Sequence, residues 1–352
     1  MNILVINPGS TSTKIAAFNS EECLFQTTVR HPDEDISRFD KVADQYRYRL
    51  EAIENTLSQN GRSMSEINAI AARGGLLKPL AGGTYLIDRE MVQDLTGCIY
   101  GEHASNLAAI IAYNLGKAHG IPAYTTDPVS VDELNCLARY SGLPELPRIS
   151  QSHALNMRAA AREAASGKGL PLDSINLVVA HLGSGISVAA FERGKMTDVN
   201  NPNNEGPFSI ERCGGLPSYR LARLCYSGKY TEKQMINMLT RTGGIFGYLG
   251  TRDLPAVEKM VLEGDSRAGE VVKSMCYQVS KEIGAMSAAL CGHVDGIVLT
   301  GGMASSRLVV DEITARISYI AGVMVIPGEK EMEALAKGAL RVLNGSEEVK
   351  RY

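Results

Sequence analysis

Hydrophobic and polar positions alternate along this chain in blocks that predict an α/β protein. Residues 1–6 are apolar apart from Asn2, and 14–18 are apolar after Lys14. Between them lies the polar run Asn7-Pro8-Gly9-Ser10-Thr11-Ser12-Thr13, so the simplest local structure is a hairpin with its tip at Pro8-Gly9-Ser10. Residues 23–29 add a third strand, and 39–57 carry apolar residues at helical spacing. A buried strand at 67–72 runs into Arg73-Gly74-Gly75, where the glycines allow a sharp turn. Helices are predicted at 89–100 and 103–119, and a strand at 122–127 that Pro128 stops.

The second half repeats the opening device. After a crossing segment at 141–149 with Pro144 and Pro147, an Ala-rich helix is predicted at 152–165 with His153 near its start. A strand at 175–182 leads into His181-Leu182-Gly183-Ser184-Gly185-Ile186-Ser187, and a second strand continues through Phe191 to a hairpin at Arg193-Gly194-Lys195. Two Gly/Ser turns at matching places predict a duplicated domain with a cleft between the copies. A polar loop at 200–209 then leads to Arg212-Cys213-Gly214-Gly215. Helices are expected at 218–225, 231–241, 254–263 and 266–291, interrupted at 243–250 by a glycine-rich stretch that reads as a flexible loop, a lid or hinge. A buried strand at 296–300 enters Gly301-Gly302, where a missing Cβ would let a flat ligand lie on the backbone. A helix to 320, a strand at 323–326 and a closing helix at 331–343 complete the chain, the last packing back on the first domain. The expected division is 1–148 plus 331–352, and 149–330.

Composition narrows the partners. A chain of 352 residues exceeds what one core usually serves, and 44% hydrophobic with 21% charged residues is ordinary for a globular protein. A net charge of −3 supplies no broad attraction for nucleic acid or anionic membrane, and the absence of Trp with 6% aromatics leaves little for a stacking surface. Seven cysteines without a CxxC pair argue against a disulfide framework or zinc cluster and fit a reducing cytoplasm. The opening run lacks a basic n-region, and no apolar stretch reaches membrane-spanning length.

Candidate chemistry gathers at the strand ends. Backbone N–H groups and hydroxyls of the 7–14 turn suit an anion, although a plain Pro-Gly hairpin has the same sequence. Arg73 and Arg212 each stand beside a Gly-Gly, where an arginine serves either a ligand or a structural ion pair. Asp127 ends a strand as a functional carboxylate or a turn residue, and His103 opens a helix as a ligand group or a cap.

The turns at 7–14, 181–187 and 300–306 resemble, in order, the two phosphate motifs and the adenosine motif of the superfamily of acetate and sugar kinases, actin and heat-shock chaperone ATPases. Arg73-Gly74-Gly75-Leu76-Leu77-Lys78-Pro79, Glu102-His103-Ala104-Ser105-Asn106, Asp127-Pro128-Val129-Ser130-Val131-Asp132-Glu133, and Gly206-Pro207-Phe208-Ser209 before Arg212-Cys213-Gly214-Gly215 resemble the acetokinase family over nearly the whole chain, and within it the butyrate kinases. The resemblance implies two ribonuclease-H-like domains, with mixed sheets flanked by helices and an interdomain nucleotide cleft. It implies transfer of the γ-phosphoryl of ATP to a short-chain carboxylate, with Mg²⁺, ADP as the product nucleotide, and a homo-oligomer of at least two chains. By similarity, Arg73 and Arg212 hold the carboxylate and the phosphoryl group, with His103 also at the substrate. Asp127 orients an arginine or a metal-bound water, and His181 stabilises the transferring group. Asn7 and a glutamate, Glu331 in preference to Glu329, stand by the magnesium. Ser10, Ser12, Lys14, Gly183, Ser184, Gly185, Gly301 and Gly302 are the implied nucleotide contacts.

The implied chemistry is physically coherent. A carboxylic acid with a pKa of roughly 4 to 5 is ionised at neutral pH and needs no general base, only relief of its repulsion from phosphate. Arginines and Mg²⁺ supply that relief. A nucleotide-gated binding protein of the actin kind would have no use for Arg73 and Arg212. Two positions depart from the acetate kinase pattern: its first of two histidines spaced four apart falls on Ile149, leaving only His153, and the asparagine of its His-Leu-Gly-Asn-Gly motif is Ser184.

Overall fold

Ile3, Leu4, Val5 and Ile6 are each fully buried and form the centre of β1 (Asn2–Pro8). A strand buried without alternation needs cover on both faces, which marks an inner strand of a helix-flanked sheet. The computed structural model describes residues 1–352, which divide into two units, Met1–Asp132 with Lys330–Tyr352, and Glu133–Glu329.

The first unit holds β1, β2 (Ser12–Asn19), β3 (Glu22–Arg30), β4 (Ala69–Ala72), β5 (Thr84–Leu86) and β6 (Ala123–Thr126), in the spatial order β3-β2-β1-β4-β6-β5. β1, β2 and β3 form an antiparallel meander, while β4 lies parallel to β1 and β6 parallel to β4. The edge strand β5 has only three residues, too few for a periodic signal. Helices Asn106–His119 and Glu331–Leu343 pack on β1, β4 and β6. The expected helix at 39–57 starts later, at Tyr46, after a single tight turn over Val42–Gln45. That at 89–100 stops at Thr96, because Cys98 takes a left-handed φ of 51° that a helix cannot hold.

In the second unit β7 (Leu177–Leu182), β8 (Ile186–Glu192), β9 (Lys195–Val199), β10 (Gly296–Gly301) and β11 (Val323–Pro327) lie in the order β11-β10-β7-β8-β9. Read from its meander, this is β9-β8-β7-β10-β11, with the same antiparallel and parallel pairings as β3-β2-β1-β4-β6. The duplication read from the two Gly/Ser turns is therefore a duplication of sheet topology. Helix Ser266–Ala289 seals the core with Val272, Met275, Cys276, Val279 and Ile283 at helical spacing, and Asp265 caps its start by accepting from Ala268 N at 3.0 Å.

Segment 133–149 belongs to this second unit. Glu133 accepts from Arg158 Nη1 at 2.9 Å and from Met196 N at 2.8 Å, and Arg148 pairs with Asp198 and Glu205. The stretch 243–250 is not a flexible loop. Gly244–Leu249 is a short helix whose Ile245 is fully buried, with Ile245 N and Phe246 N donating to the Ser209 and Ile210 carbonyls at 2.9 and 2.8 Å. Gly243 serves close contact, since a Cβ there would lie 2.9 Å from the Met238 carbonyl oxygen, while Gly250 ends the helix at φ 74°. No helix is long and apolar enough to cross a membrane.

Candidate active site

In the first unit, the parallel pairing of β1 and β4 brings Asn7 and Arg73 out at one end of the sheet, with Arg73 N donating to the Ile6 carbonyl at 3.0 Å. Glu331, the first residue of its helix, receives both: Asn7 Nδ2 donates to Oε2 at 2.8 Å, and Arg73 Nη1 pairs with Oε1. Glu329, the other candidate, lies in the second unit with Oε1 3.4 Å from His181 Nε2. Gly74 and Gly75 serve packing rather than a special φ: a Cβ on Gly74 would lie 2.9 Å from Thr125 Oγ1, and one on Gly75 2.7 Å from Asn106 Cα.

The turn after β1 is closed by Gly9 N donating to the Ser12 carbonyl at 2.7 Å. That amide is thus engaged within the turn, and an anion would meet the amides and hydroxyls that follow it. Ser10 is exposed, Ser12 half-buried, and Lys14 stands directly opposite Asn7 in the β1–β2 register. Beneath the turn lies a residue the sequence reading missed. Arg49 is fully buried, donating through Nη1 to the Ser12 carbonyl (2.8 Å) and Thr13 Oγ1 (3.0 Å), and through Nη2 to the Ser10 carbonyl (2.9 Å). Its Nε donates to Gln45 Oε1 at 2.9 Å. Burial lowers its pKa from the usual arginine value. The available signal was the buried stripe Arg49, Ile53, Thr56 and Leu57, an arginine where the helix pattern calls for an apolar residue.

Asp127 is fully buried and takes φ 41°, a left-handed conformation costly for a residue with a side chain. It is fixed by reciprocal bonds with Gly83, Oδ1 accepting from Gly83 N at 2.7 Å and its own N donating to the Gly83 carbonyl at 3.0 Å. His103 Nδ1 lies 2.8 Å from Ser105 Oγ and accepts from Ser105 N at 3.2 Å, so its other nitrogen carries the proton of the neutral ring. Desolvation, and then the Arg73 charge, lower its pKa.

The second unit carries its own cluster at the end of β7. His181 Nδ1 is 3.0 Å from Asn156 Nδ2, and its ring stacks on His153 at 4.0 Å with 9° between planes. Gly183 has no room for a side chain because a Cβ would lie 2.8 Å from His181 Nε2. Gly185 and Arg212 are brought together, since a Cβ on Gly185 would lie 2.6 Å from Arg212 Nη1 and 2.7 Å from Cζ. Burial lowers the Arg212 pKa, with Glu211 opposing. Gly301 does not offer an open backbone: its φ is 90°, and a Cβ would lie 2.8 Å from Leu182 N. Gly302 has nothing within 4 Å of that position and lines a cavity of about 670 Å³ together with Gly183, Ser184, Arg252, Asp253 and Met303. This volume is within the range of small-molecule sites. Arg252, also missed, lies 3.8 Å over the Phe246 ring and donates through Nε to Glu211 at 3.1 Å.

A family model described as the acetokinase family matches residues 151–344, more than half of the chain. The chain belongs to the acetokinase family. Members are carboxylate kinases, which transfer a phosphoryl group to a carboxylate. Among solved structures, acetate kinase from Porphyromonas gingivalis matches with a TM-score of 0.78 at 20% identity, over 97% of this chain and 99% of that one. A propionate kinase from Francisella tularensis subsp. tularensis SCHU S4 matches at 0.74 and 19%, over 96% and 98%. Acetate kinase from Entamoeba histolytica matches at 0.75 and 15%, over 96% and 98%. At such identities the likeness speaks for the acetokinase fold, two mixed sheets flanked by helices.

Proposed function

We propose that this acetokinase-family chain is a butyrate kinase, transferring the γ-phosphoryl of MgATP to butanoate to give butanoyl phosphate and ADP, reversibly. The observation that carries the phosphoryl-transfer reading is the cluster of Asn7, Arg73 and Glu331 at one sheet end, a cation and hard oxygen donors together. Its protein oxygens are one carboxylate and one amide, too few for a resident metal but suited to a magnesium that arrives with nucleotide phosphates and keeps its waters. In this reading a butanoate oxygen attacks the γ-phosphorus and the bond to the ADP oxygen breaks, with no proton transferred. Arg73 and Arg212 offset the charge of nucleophile and phosphoryl, and His181 Nε2 donates to a phosphoryl oxygen. The 670 Å³ cavity takes the nucleoside, with Gly183, Ser184 and Gly302 lining it and Gly185 seating Arg212. Asn7, Ser10, Ser12 and Lys14 face the phosphates. Asp127 and His103 brace the substrate side, and the reaction belongs to the cytoplasm.

Butanoate is favoured over acetate by the resemblance of the motifs and by Ile149, 51% exposed and so available to an acyl chain where a histidine would be polar. Two methylenes are worth about 1.6 kcal/mol when fully buried, so acetate, propionate and isobutyrate are the competing substrates. Folded protein given MgATP, each acid in turn and hydroxylamine should yield acyl hydroxamate, most efficiently with butanoate. No product from any acid would refute kinase activity, and a preference for acetate would refute the chain-length assignment. Ile149→His should lower the butanoate-to-acetate ratio of kcat/KM, and an unchanged ratio would remove Ile149 from the acyl site. Arg73→Ala and Arg212→Ala should each cost about 10²–10⁴ in kcat, whereas losses under about tenfold would return them to structural roles.

A further inference from the structure

His181 is 1% exposed, and its Nε2 makes no hydrogen bond: Glu329 Oε1 is 3.4 Å away but outside hydrogen-bond geometry. A buried polar atom without a partner is costly unless something else supplies one. The other ring nitrogen decides what Nε2 can do, and its state follows from a chain of hydrogen bonds whose direction is fixed at the far end. The Gly328 carbonyl can only accept, and Thr300 Oγ1 donates to it at 3.4 Å. A hydroxyl has one proton, so toward Asn156 Nδ2, 3.2 Å away, Thr300 Oγ1 accepts. Asn156 therefore presents its NH₂ end, and the second N–H of that group meets His181 Nδ1 at 3.0 Å, making Nδ1 the acceptor. A neutral imidazole accepting at Nδ1 carries its proton on Nε2. The ring plane is held by His153, stacked on it and itself placed by Ser187 Oγ at 3.0 Å from its Nδ1.

We propose that Asn156 is a positioning residue that locks His181 as the Nε2–H tautomer, so that this N–H is the donor to an oxygen of the transferring phosphoryl group. The role rests on the phosphoryl-transfer reading above, but the tautomer can be read without activity. The full chain is labelled with ¹⁵N in its histidine rings, and multiple-bond ¹H–¹⁵N spectra are recorded at a pH where the rings are neutral. His181→Gln assigns the signal among six histidines. A pyrrole-type Nε2 and pyridine-type Nδ1 are expected for His181, and the reverse pattern overturns the proposal whatever the enzyme does. Asn156→Asp replaces the donor by a carboxylate that only accepts, which should draw the proton to Nδ1 and lower kcat about 10²–10³-fold with little change in the KM for ATP. Less than a tenfold change alongside the moved proton overturns the positioning role. Should that variant not fold, Thr300→Val breaks the relay and should mix the tautomers, while Thr300→Ser should restore the single form, and equal spectra for both overturn the relay. If the Nε2–H tautomer is found but no acid yields hydroxamate, the function fails and the lock stands.

Discussion

Arg49→Met tests whether the turn after β1 is held from beneath. Methionine keeps much of the arginine's length and is compatible with a helix, so the change removes donors more than volume. Four acceptors lose a donor: the Ser10 and Ser12 carbonyls, Thr13 Oγ1 and Gln45 Oε1. Buried acceptors left unpaired cost about 1–3 kcal/mol each, so the gross loss is about 4–12 kcal/mol. Two terms reduce it. The Ser12 carbonyl retains Gly9 N at 2.7 Å and Thr13 Oγ1 retains His31 Nε2 at 2.8 Å, and the chain no longer buries a guanidinium without a carboxylate salt bridge, a burial that costs several kcal/mol. A net destabilisation of about 3 kcal/mol follows, which at about 2–4 °C per kcal/mol lowers the melting temperature by about 6–12 °C. Calorimetry with and without MgATP reads both the loss and the nucleotide's ability to restore it. Arg49→Lys keeps the charge but not the planar fork, and should fall between wild type and Met. A methionine variant melting within about 2 °C of wild type, with unchanged kcat/KM, would refute the idea that this guanidinium organises the turn.

Gly185→Ala should leave the melting temperature nearly unchanged, because the atoms its Cβ meets are the flexible end of Arg212, while lowering kcat at least about tenfold by displacing that guanidinium; normal turnover would detach Arg212 from the chemistry. Gly338→Ala drives a methyl into the Thr126 side chain, whose Cβ would be 2.8 Å away, and should cost about 1–3 kcal/mol in urea unfolding, with a neutral result contradicting the close packing of the closing helix on β6. The His31 pKa is lowered by burial and then by the Arg49 charge, against an opposing pull from Asp35. Below about pH 6.5 the unfolded chain binds a proton that the folded chain resists, so this contribution is complete above that pH and is lost as pH falls through the depressed folded pKa. His31→Gln should flatten the loss of stability between about pH 7 and 5, measured as urea midpoints, and an identical slope would exclude His31 from it.

The two hairpin turns were legible because each signal is local. Alternation or unbroken burial over five to nine residues marks the strands, and Gly, Pro and Ser mark the turns. Helices Ser218–Cys225 and Glu331–Leu343 fall at the positions their patterns predict. What was not legible is contact. Asn7 and Glu331 are 324 residues apart, so nothing near either could choose Glu331 over Glu329 as the partner of Asn7. Glycines misled for the same reason: a glycine that clears space for a ligand and one that clears space for a neighbouring strand look alike until the neighbour is known. Gly301 is of the second kind, whereas Gly302 has nothing near its Cβ position and lines the 670 Å³ cavity.

Arg49 and Asn156 show where a sequence reading could have gone further. Each lies on the buried stripe of its helix, Arg49 with Ile53 and Leu57, Asn156 with Ala160 and Ala164, where an apolar residue would pack at lower cost. A polar side chain kept there must be repaid by hydrogen bonds, and the nearest groups needing them are the irregular turns at the strand ends. Arg49 meets the turn after β1, and Asn156 meets the histidine that opens the turn after β7. The two helices are not equivalents in the duplicated topology, one following the third strand of its meander and the other preceding the first. Two unrelated elements therefore bring a buried polar side chain to a strand end in each unit, as expected if the geometry of those strand ends, rather than the stability of either core, decides what these positions contain.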